Sequence, residues 1–457
     1  MKSDHVFDSV VVGAGVSGLT AGCALADAGK DIVALEANDY AGGRVKTERY
    51  GSLYAEAGGM IVTDEDTAAL QMLRDFSIPL TPPWGHHGSE MFIADEFVTL
   101  NGRGDDSKNL DTIVAIARKL ANEPRGEVKL PVFSESRFVE AYNEVLRLIK
   151  NESKLIDFPY VPDLREKWDT LTFAEFLDSF DPHLRAYFDL QLKAIAAESV
   201  DLISFFWGVI TTQWNADNNF YAIEGGTDRL PRALTAKLDE RVLLNVPVKT
   251  VTSSNNGLVR VCYLKDRELK EIRARTVIMA TLPKTVRKLV SGLDNEKRDS
   301  LSRVTFGSYI PVHLRFRERF WEESIKTGYL NCAGLVFADI VDATRDQNEK
   351  GGILICFIAG SDARVLINVS DSVILKLVLR DFEKVFPGKA SQVIEARIFQ
   401  WPDAIPYLTI GYASIFADIQ RPHGNIYFCG DYTLGAGLNE AIYSGQVAAL
   451  EVIDRLQ

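Results

Sequence analysis

Ser9-Val10-Val11-Val12-Gly13-Ala14-Gly15-Val16-Ser17-Gly18-Leu19 is the stretch that decides how this chain folds. A short β-branched run meets three glycines spaced G-x-G-x-x-G, and apolar residues then recur at helical intervals at Leu19, Ala21, Ala24, Leu25 and Ala28. A second apolar run, Asp31-Ile32-Val33-Ala34-Leu35, ends on Glu36. Strand, glycine turn, helix, strand and terminal acid together are the parts of a dinucleotide pocket. Gly13 permits the tight turn, Gly15 lets the backbone approach a pyrophosphate, and Gly18 lets helix and strand pack closely. The helix opening at Val16-Ser17 offers unpaired N–H groups and a partial positive charge to phosphate. Glu36 is placed to accept hydrogen bonds from an adenosine ribose, and no Arg follows closely to favour a 2′-phosphate.

The chain has 457 residues, too many for one ordinary core, so two domains are expected. A formal charge of −12 argues against nucleic acid or an anionic membrane surface as partner. Charges and glycines interrupt every apolar run before membrane-spanning length, and Met1-Lys2-Ser3-Asp4-His5 carries no signal-peptide core. Cys23, Cys262, Cys332, Cys356 and Cys429 are far apart and form no C-x-x-C pair, which suits a reducing, cytoplasmic setting. Adjacent His86 and His87 have no carboxylate or cysteine at a ligand interval, so no metal site is expected.

Further along, residues 105–215 read as mostly helical, with a stop and restart at Asp181-Pro182. Runs 246–252 and 258–264 flank Asn255-Asn256-Gly257 as a hairpin, and Thr276 to Thr281 reads as a buried strand. Alternation over 300–400 suggests a second sheet. Asn425 to Phe428 is a strand running into Cys429-Gly430-Asp431, and a helix follows from Leu438 to Leu456. The expected fold is α/β: a discontinuous Rossmann-type domain (1–75, 225–290, 405–457) interleaved with an α+β substrate domain (76–224, 291–404) under a helical cover.

Four motifs spread over the chain resemble the flavin amine oxidase superfamily, which includes monoamine and amino-acid oxidases, protoporphyrinogen oxidases and carotenoid-type desaturases. They are Val12-Gly13-Ala14-Gly15-Val16-Ser17-Gly18-Leu19; Leu35-Glu36-Ala37 with Gly42-Gly43-Arg44; Glu224-Gly225-Gly226 with Leu230; and Gly430-Asp431-Tyr432-Thr433 with Ala436-Gly437-Leu438. The resemblance implies FAD as cofactor, with Arg44 near the pyrophosphate and Gly58, Gly59 and Met60 lining the flavin. It implies that the Val248 backbone holds the adenine and that Asp431 binds the ribityl–pyrophosphate region. It also implies that the helix opening at Gly437-Leu438 aims its N-terminus at the pyrimidine end of the ring. A helix N-terminus there stabilises the negative charge of the reduced cofactor.

Two features depart from amine oxidases. Many carry a lysine on the strand before a Phe-Trp pair; here the pair is Phe320-Trp321 and the corresponding position is Pro311, with His313 the nearest ionisable group. Paired tyrosines are replaced by Trp401-Pro402-Asp403-Ala404-Ile405-Pro406-Tyr407, which is similar to protoporphyrinogen oxidases and desaturases. The expected function is therefore FAD-dependent hydride transfer from a small organic substrate, with O2 or another acceptor re-oxidising the cofactor. Ring or C–C dehydrogenation stands first, amine or amino-acid oxidation second, and a redox-neutral isomerase or a non-catalytic FAD-binding protein behind them. Tyr407 is the side chain expected near the reacting face, with Trp401 beside the flavin.

Overall fold

The computed structural model describes residues 5–84, 89–100, 106–122, 130–153, 169–254 and 256–457. Strand β1 (Val6–Val12) is flanked in parallel by β2 (Ile32–Leu35) and by Glu268–Met279, so that Val10 lies opposite both Val33 and Val277. Neighbours on both edges and cover on both faces explain why the inner residues of these strands read as unbroken apolar runs. Helix α1 (Val16–Asp27) makes the crossover between β1 and β2. The finished sheet has seven strands, adding Val242–Leu243 beside β2 and Ile426–Phe428 beside Glu268–Met279.

The expected hairpin is present as Val248–Ser253 and Val259–Lys265, paired antiparallel. Of its turn, Asn255 lies outside the described residues, and Gly257 adopts φ +81°. The strand expected from Thr276 begins eight residues earlier, at Glu268, because its first half pairs with that hairpin rather than with β1. The C-terminal helix Leu438–Arg455 lies on α1 so closely that a Cβ on Gly445 would sit 2.3 Å from the Ser17 carbonyl oxygen.

The second sheet has eight strands, in the order Glu395–Ile398, Thr305–Phe316, Gly352–Ala359, Asp339–Asp342, Tyr329–Cys332, Glu90–Ile93, Glu96–Thr99, with Trp401–Tyr407 also paired to Thr305–Phe316. Two of these strands come from residues 90–99, ahead of the stretch in which alternation suggested a sheet. Helices Asp106–Asn122, Glu135–Ser153, Phe173–Asp178, Pro182–Leu192 and Phe205–Asp217 supply the expected helical segment. The restart at residue 182 is a proline at the first helical turn, capped by the Asp181 carboxylate accepting from the His183 N–H at 2.9 Å. Phe205, Phe206 and Trp207 are core residues, and Trp207 Nε1 donates to the Ala196 carbonyl at 3.0 Å.

Candidate functional site

The glycines of the first turn are where they are for lack of room. Gly13 adopts φ +104°, and a Cβ there would lie 2.5 Å from the Ala280 carbonyl oxygen. Gly15 is the N-cap of α1, with no side chain capping the helix, so its first N–H groups stay open. Val16, Ser17 and Gly18 are buried in that first turn. A second glycine turn lies against it: the Gly42 N–H donates to the Ala14 carbonyl at 2.8 Å, and a Cβ on Gly43 would reach 3.2 Å from Gly15 Cα. Two bare backbones and an uncapped helix form a cradle that any side chain would fill, which fits a pyrophosphate.

Glu36 ends β2 and is buried. Its Oε2 accepts from the Ala14 N–H at 2.8 Å, while Oε1 accepts from the Asn38 backbone N–H and side-chain amide at 2.9 and 2.8 Å. The carboxylate is thus fixed at the mouth of the glycine turn; Asn38, which orients it, was not foreseen. Ala37 beside it is exposed. The Glu36 carbonyl accepts from the Val246 N–H at 2.8 Å, which places Val248, two residues on at the start of its strand, close in the chain to the C-terminal end of β2.

Arg44 follows the second glycine turn and forks onto Asp431, its Nη1 and Nη2 donating at 2.8 and 2.6 Å; Nη1 also donates to the Ala404 carbonyl at 2.7 Å. The two residues that the resemblance assigns to the diphosphate and ribityl region are therefore partners, 387 positions apart. Gly430, just before, donates its N–H to Ser444 Oγ at 3.0 Å. Gly58 rests on the same turn, where a Cβ would be 1.9 Å from the Arg44 carbonyl oxygen. Gly59 is exposed and Met60 half-buried. Trp401 joins them by donating Nε1–H to the Ala57 carbonyl at 2.6 Å. Gly437, exposed and at φ +126°, is the N-cap of the C-terminal helix and has no side-chain cap, so Leu438 opens the helix with free N–H groups.

The hairpin of β3 (Thr47–Tyr50) and β4 (Leu53–Glu56) holds this wall in place, and its key residue, Glu56, was not foreseen. Glu56 accepts from Thr47 Oγ1 at 2.7 Å and from the Thr227 N–H at 2.9 Å, pinning Gly225-Gly226-Thr227 to the hairpin. Burial pushes its carboxyl up to about 7. A carboxyl whose pKa rises on folding contributes stability that is full below about 4.5 and is lost as pH rises through about 7, on the order of 3 kcal/mol. The denaturation midpoint of the flavin-free chain is expected to fall from pH 5 to pH 8. Glu56→Gln should flatten its share of that slope in urea titrations at the two pH values.

His313 is a structural residue. Its Nε2 donates to the Glu56 carbonyl at 3.0 Å and its Nδ1 accepts from Tyr50 Oη at 2.7 Å, which uses both nitrogens of a neutral ring. Burial holds its pKa down at about 4. By strand alternation Pro311 shares a face with His313 and with Tyr309, which lies opposite Trp401; that face meets the Glu56–Ala57 backbone. Tyr407 is not beside Trp401. It pairs with Thr305, four residues from Tyr309 and so roughly 13 Å away along the strand. It is buried, and its hydroxyl meets Arg364, whose guanidinium pairs with Glu198.

Of the remaining candidates, His86 and His87 lie outside the described residues. Among the described residues no group of three His, Cys, Asp or Glu side chains could hold a metal ion, and no helix is long and apolar enough to cross a membrane.

This geometry agrees with known proteins. The L-amino-acid oxidase of Echis ocellatus is 25% identical over 476 residues, covering 99% of this chain and 90% of that protein. The L-amino-acid oxidase of Siganus canaliculatus is 25% identical over 466 residues, covering 94% and 81%. Wild-type putrescine oxidase bound to putrescine superposes with a TM-score of 0.77 at 21% identity, covering 99% of this chain and 100% of that one. Cyclohexylamine oxidase from Brevibacterium oxydans does so with 0.74 at 19% identity, covering 99% and 100%, which is a likeness of fold. The family model for flavin containing amine oxidoreductase matches residues 16–453, and the chain belongs to that family of flavin-dependent enzymes.

Proposed function

We propose that this enzyme oxidises the C–N bond of a small amine or amino acid, with FAD as the flavin. The observation that carries the choice is a cleft beside Met60 whose lining includes Tyr54, Thr81, Trp84, Asp346 and Gln347. Trp84 Nε1 donates to Asp346 Oδ2 at 2.6 Å, so the indole and the carboxylate form one wall. A small, partly polar cleft of this kind suits a small nitrogen-bearing substrate better than a porphyrinogen or a polyene. The relatives named above act on the same side of that choice. Together they reverse the order drawn from Pro311, in which ring dehydrogenation stood first.

FAD, when bound, accepts a hydride from the substrate carbon and passes the electrons to O2 or another acceptor. In this reading the chain's residues hold and shield. Gly13, Gly15, Gly18 and Gly43 cradle the diphosphate with Val16 and Ser17, Arg44 and Asp431 grip the diphosphate–ribityl junction, and Glu36 takes the ribose, with Ala37 and Val248 at the adenine edge. Gly58, Gly59, Met60 and Trp401 wall the ring, and Gly430, Gly437 and Leu438 present backbone. Tyr407 acts one step back, as a positioning residue through Arg364. The cofactor domain is assigned to 1–75, 225–290 and 405–457, the substrate domain to the rest. Five cysteines that remain thiols support a cytoplasmic setting.

The test is an anaerobic visible spectrum of the FAD-loaded protein before and after adding a panel of amines, diamines and amino acids. Bleaching by a member of that panel is expected, faster as pH rises because the nitrogen must be neutral to release hydride. A spectrum that stays oxidised with the whole panel and bleaches with a ring or polyene substrate would return the reading to dehydrogenation.

A further inference from the structure

Two helices point their N-termini at one another beside the ring seat. Helix α2 (Thr67–Asp75) begins after Asp66, and the C-terminal helix begins after Gly437. Asn439 joins them, its Oδ1 accepting from the Ala68 and Ala69 N–H groups at 3.0 and 3.3 Å. Between them lie two carboxyl groups. Asp66 Oδ2 accepts from the Thr63 N–H at 2.7 Å. Glu440, in the first turn of the C-terminal helix, folds back over the N-cap, so that a Cβ on Gly437 would be 3.0 Å from its Oε2; its Oε1 accepts from Asn439 Nδ2 at 3.2 Å. Its carboxyl thus lies across the helix end that the reading above gives to the pyrimidine side of the flavin.

We propose that Glu440 is the proton-linked residue of cofactor binding: seating the flavin against Gly437 and Leu438 converts the Glu440 carboxylate to the neutral acid by taking one proton from solvent. The inference rests on the FAD assignment above. The reason is competition. A carboxylate over Gly437, bonded to its own backbone N–H in the first turn, draws on the same positive helix end as a flavin carbonyl would. A neutral carboxyl gives up that claim and can donate a hydrogen bond in return. The ring also removes the water that remains over this groove, which disfavours the charged form further.

The charges around it point the same way. The α2 side presents Asp66, with Asp64 and Glu65 behind it; the turn after residue 430 presents Asp431, already forked by Arg44. Helix α1 offers only the hydroxyls of Ser17 and Thr20 in its turns nearest the C-terminal helix. The charged groups that act most on Glu440 are the anions Asp66 and Asp431, and burial raises both carboxyls of the pair, to about 7 for Glu440 and about 6 for Asp66.

Titration calorimetry of FAD into the flavin-stripped full chain at pH 8, in phosphate and in Tris, measures the protons taken up, and repeating it from pH 6 to 9 gives the affinity profile. The expected result is uptake approaching one proton per FAD at pH 8 and affinity falling up to tenfold per pH unit above 7. Glu440→Gln should abolish the uptake and flatten the profile, and Asp66→Asn, which leaves Glu440 in place, should keep the uptake but shift the fall to lower pH. Binding without proton uptake in the unmodified chain, or uptake persisting in Glu440→Gln, would overturn this inference alone. Failure to bind FAD at every pH would overturn the FAD assignment and this inference with it.

Discussion

Arg44→Met is expected to strip the flavin from the protein and to destabilise what is left. Asp431 is almost fully buried and its carboxylate takes both guanidinium nitrogens, so the substitution leaves a charge with no cation. Breaking such a pair costs about 3 kcal/mol, the low end of the range for buried pairs, because the Arg44 side chain itself is 31% exposed. The Ala404 carbonyl loses its donor in the same stroke, which loosens the strand that carries Trp401. FAD affinity should fall by roughly 10- to 150-fold, since a charge-assisted hydrogen bond contributes about 1.5–3 kcal/mol. Fluorescence titration of the flavin-stripped protein reads this directly. Arg44→Lys keeps the charge but not the fork, and is expected to recover only part of the loss. Equal affinity in all three proteins would remove Arg44 from the cofactor site.

Gly18→Ala is expected to be the more damaging change despite adding one methyl group. The new Cβ would lie 2.0 Å from the Gly13 carbonyl oxygen and 2.9 Å from Ala280 Cβ, so it meets backbone that has no rotamer to yield. Helix α1 must lift off the sheet, opening the cradle between Gly15 and Gly43. Overpacking of this kind costs about 1–3 kcal/mol or more, and the displaced helix end should reduce FAD binding beyond detection. Gly29→Ala is the control. Gly29 has φ +72° with nothing within 4 Å, so its change costs only backbone strain of about 1 kcal/mol and should leave binding intact. Thermal melts with and without FAD separate the two; a Gly18→Ala protein that binds FAD normally would show that the close approach is not needed.

The cofactor half of the molecule was largely legible because its parts carry local signatures. Glycine spacing, β-branched runs and a terminal acid each reflect a backbone that must turn tightly, lie buried or be held by a carboxylate at the turn, and all are visible within a few residues. What was not legible is cooperation across the chain. Arg44 and Asp431 were each assigned to the cofactor, but nothing in either neighbourhood says that they hold one another. Glu56 stands two residues before Gly58, yet its work on Thr47 and Thr227 depends on a hairpin meeting a turn about 170 residues later. His313 was singled out because a lone ionisable residue on a strand is conspicuous, whereas only the fold shows that Tyr50 and a backbone carbonyl use both its nitrogens. Tyr407 was named for the reacting face from its motif alone; its burial and its pairing to Thr305 depend on a strand about 100 residues earlier. The choice between C–N and C–C oxidation turned on a single missing lysine, and one position cannot weigh against a cleft assembled from Tyr54, Trp84 and Asp346.

The central strand Glu268–Met279 is edged by Ile426–Phe428, and α1 is covered by the helix in which Gly445 meets Ser17. The glycine turn at residues 13–18 thus takes its surroundings from a segment about 400 residues away in the chain. Without residues 426–455, Val277–Met279 lose a neighbouring strand, α1 loses its covering helix and Arg44 loses Asp431. A chain cut before that segment is expected to leave FAD unbound, however intact its glycine motif, because the turn is made by one end of the chain and held in shape by the other.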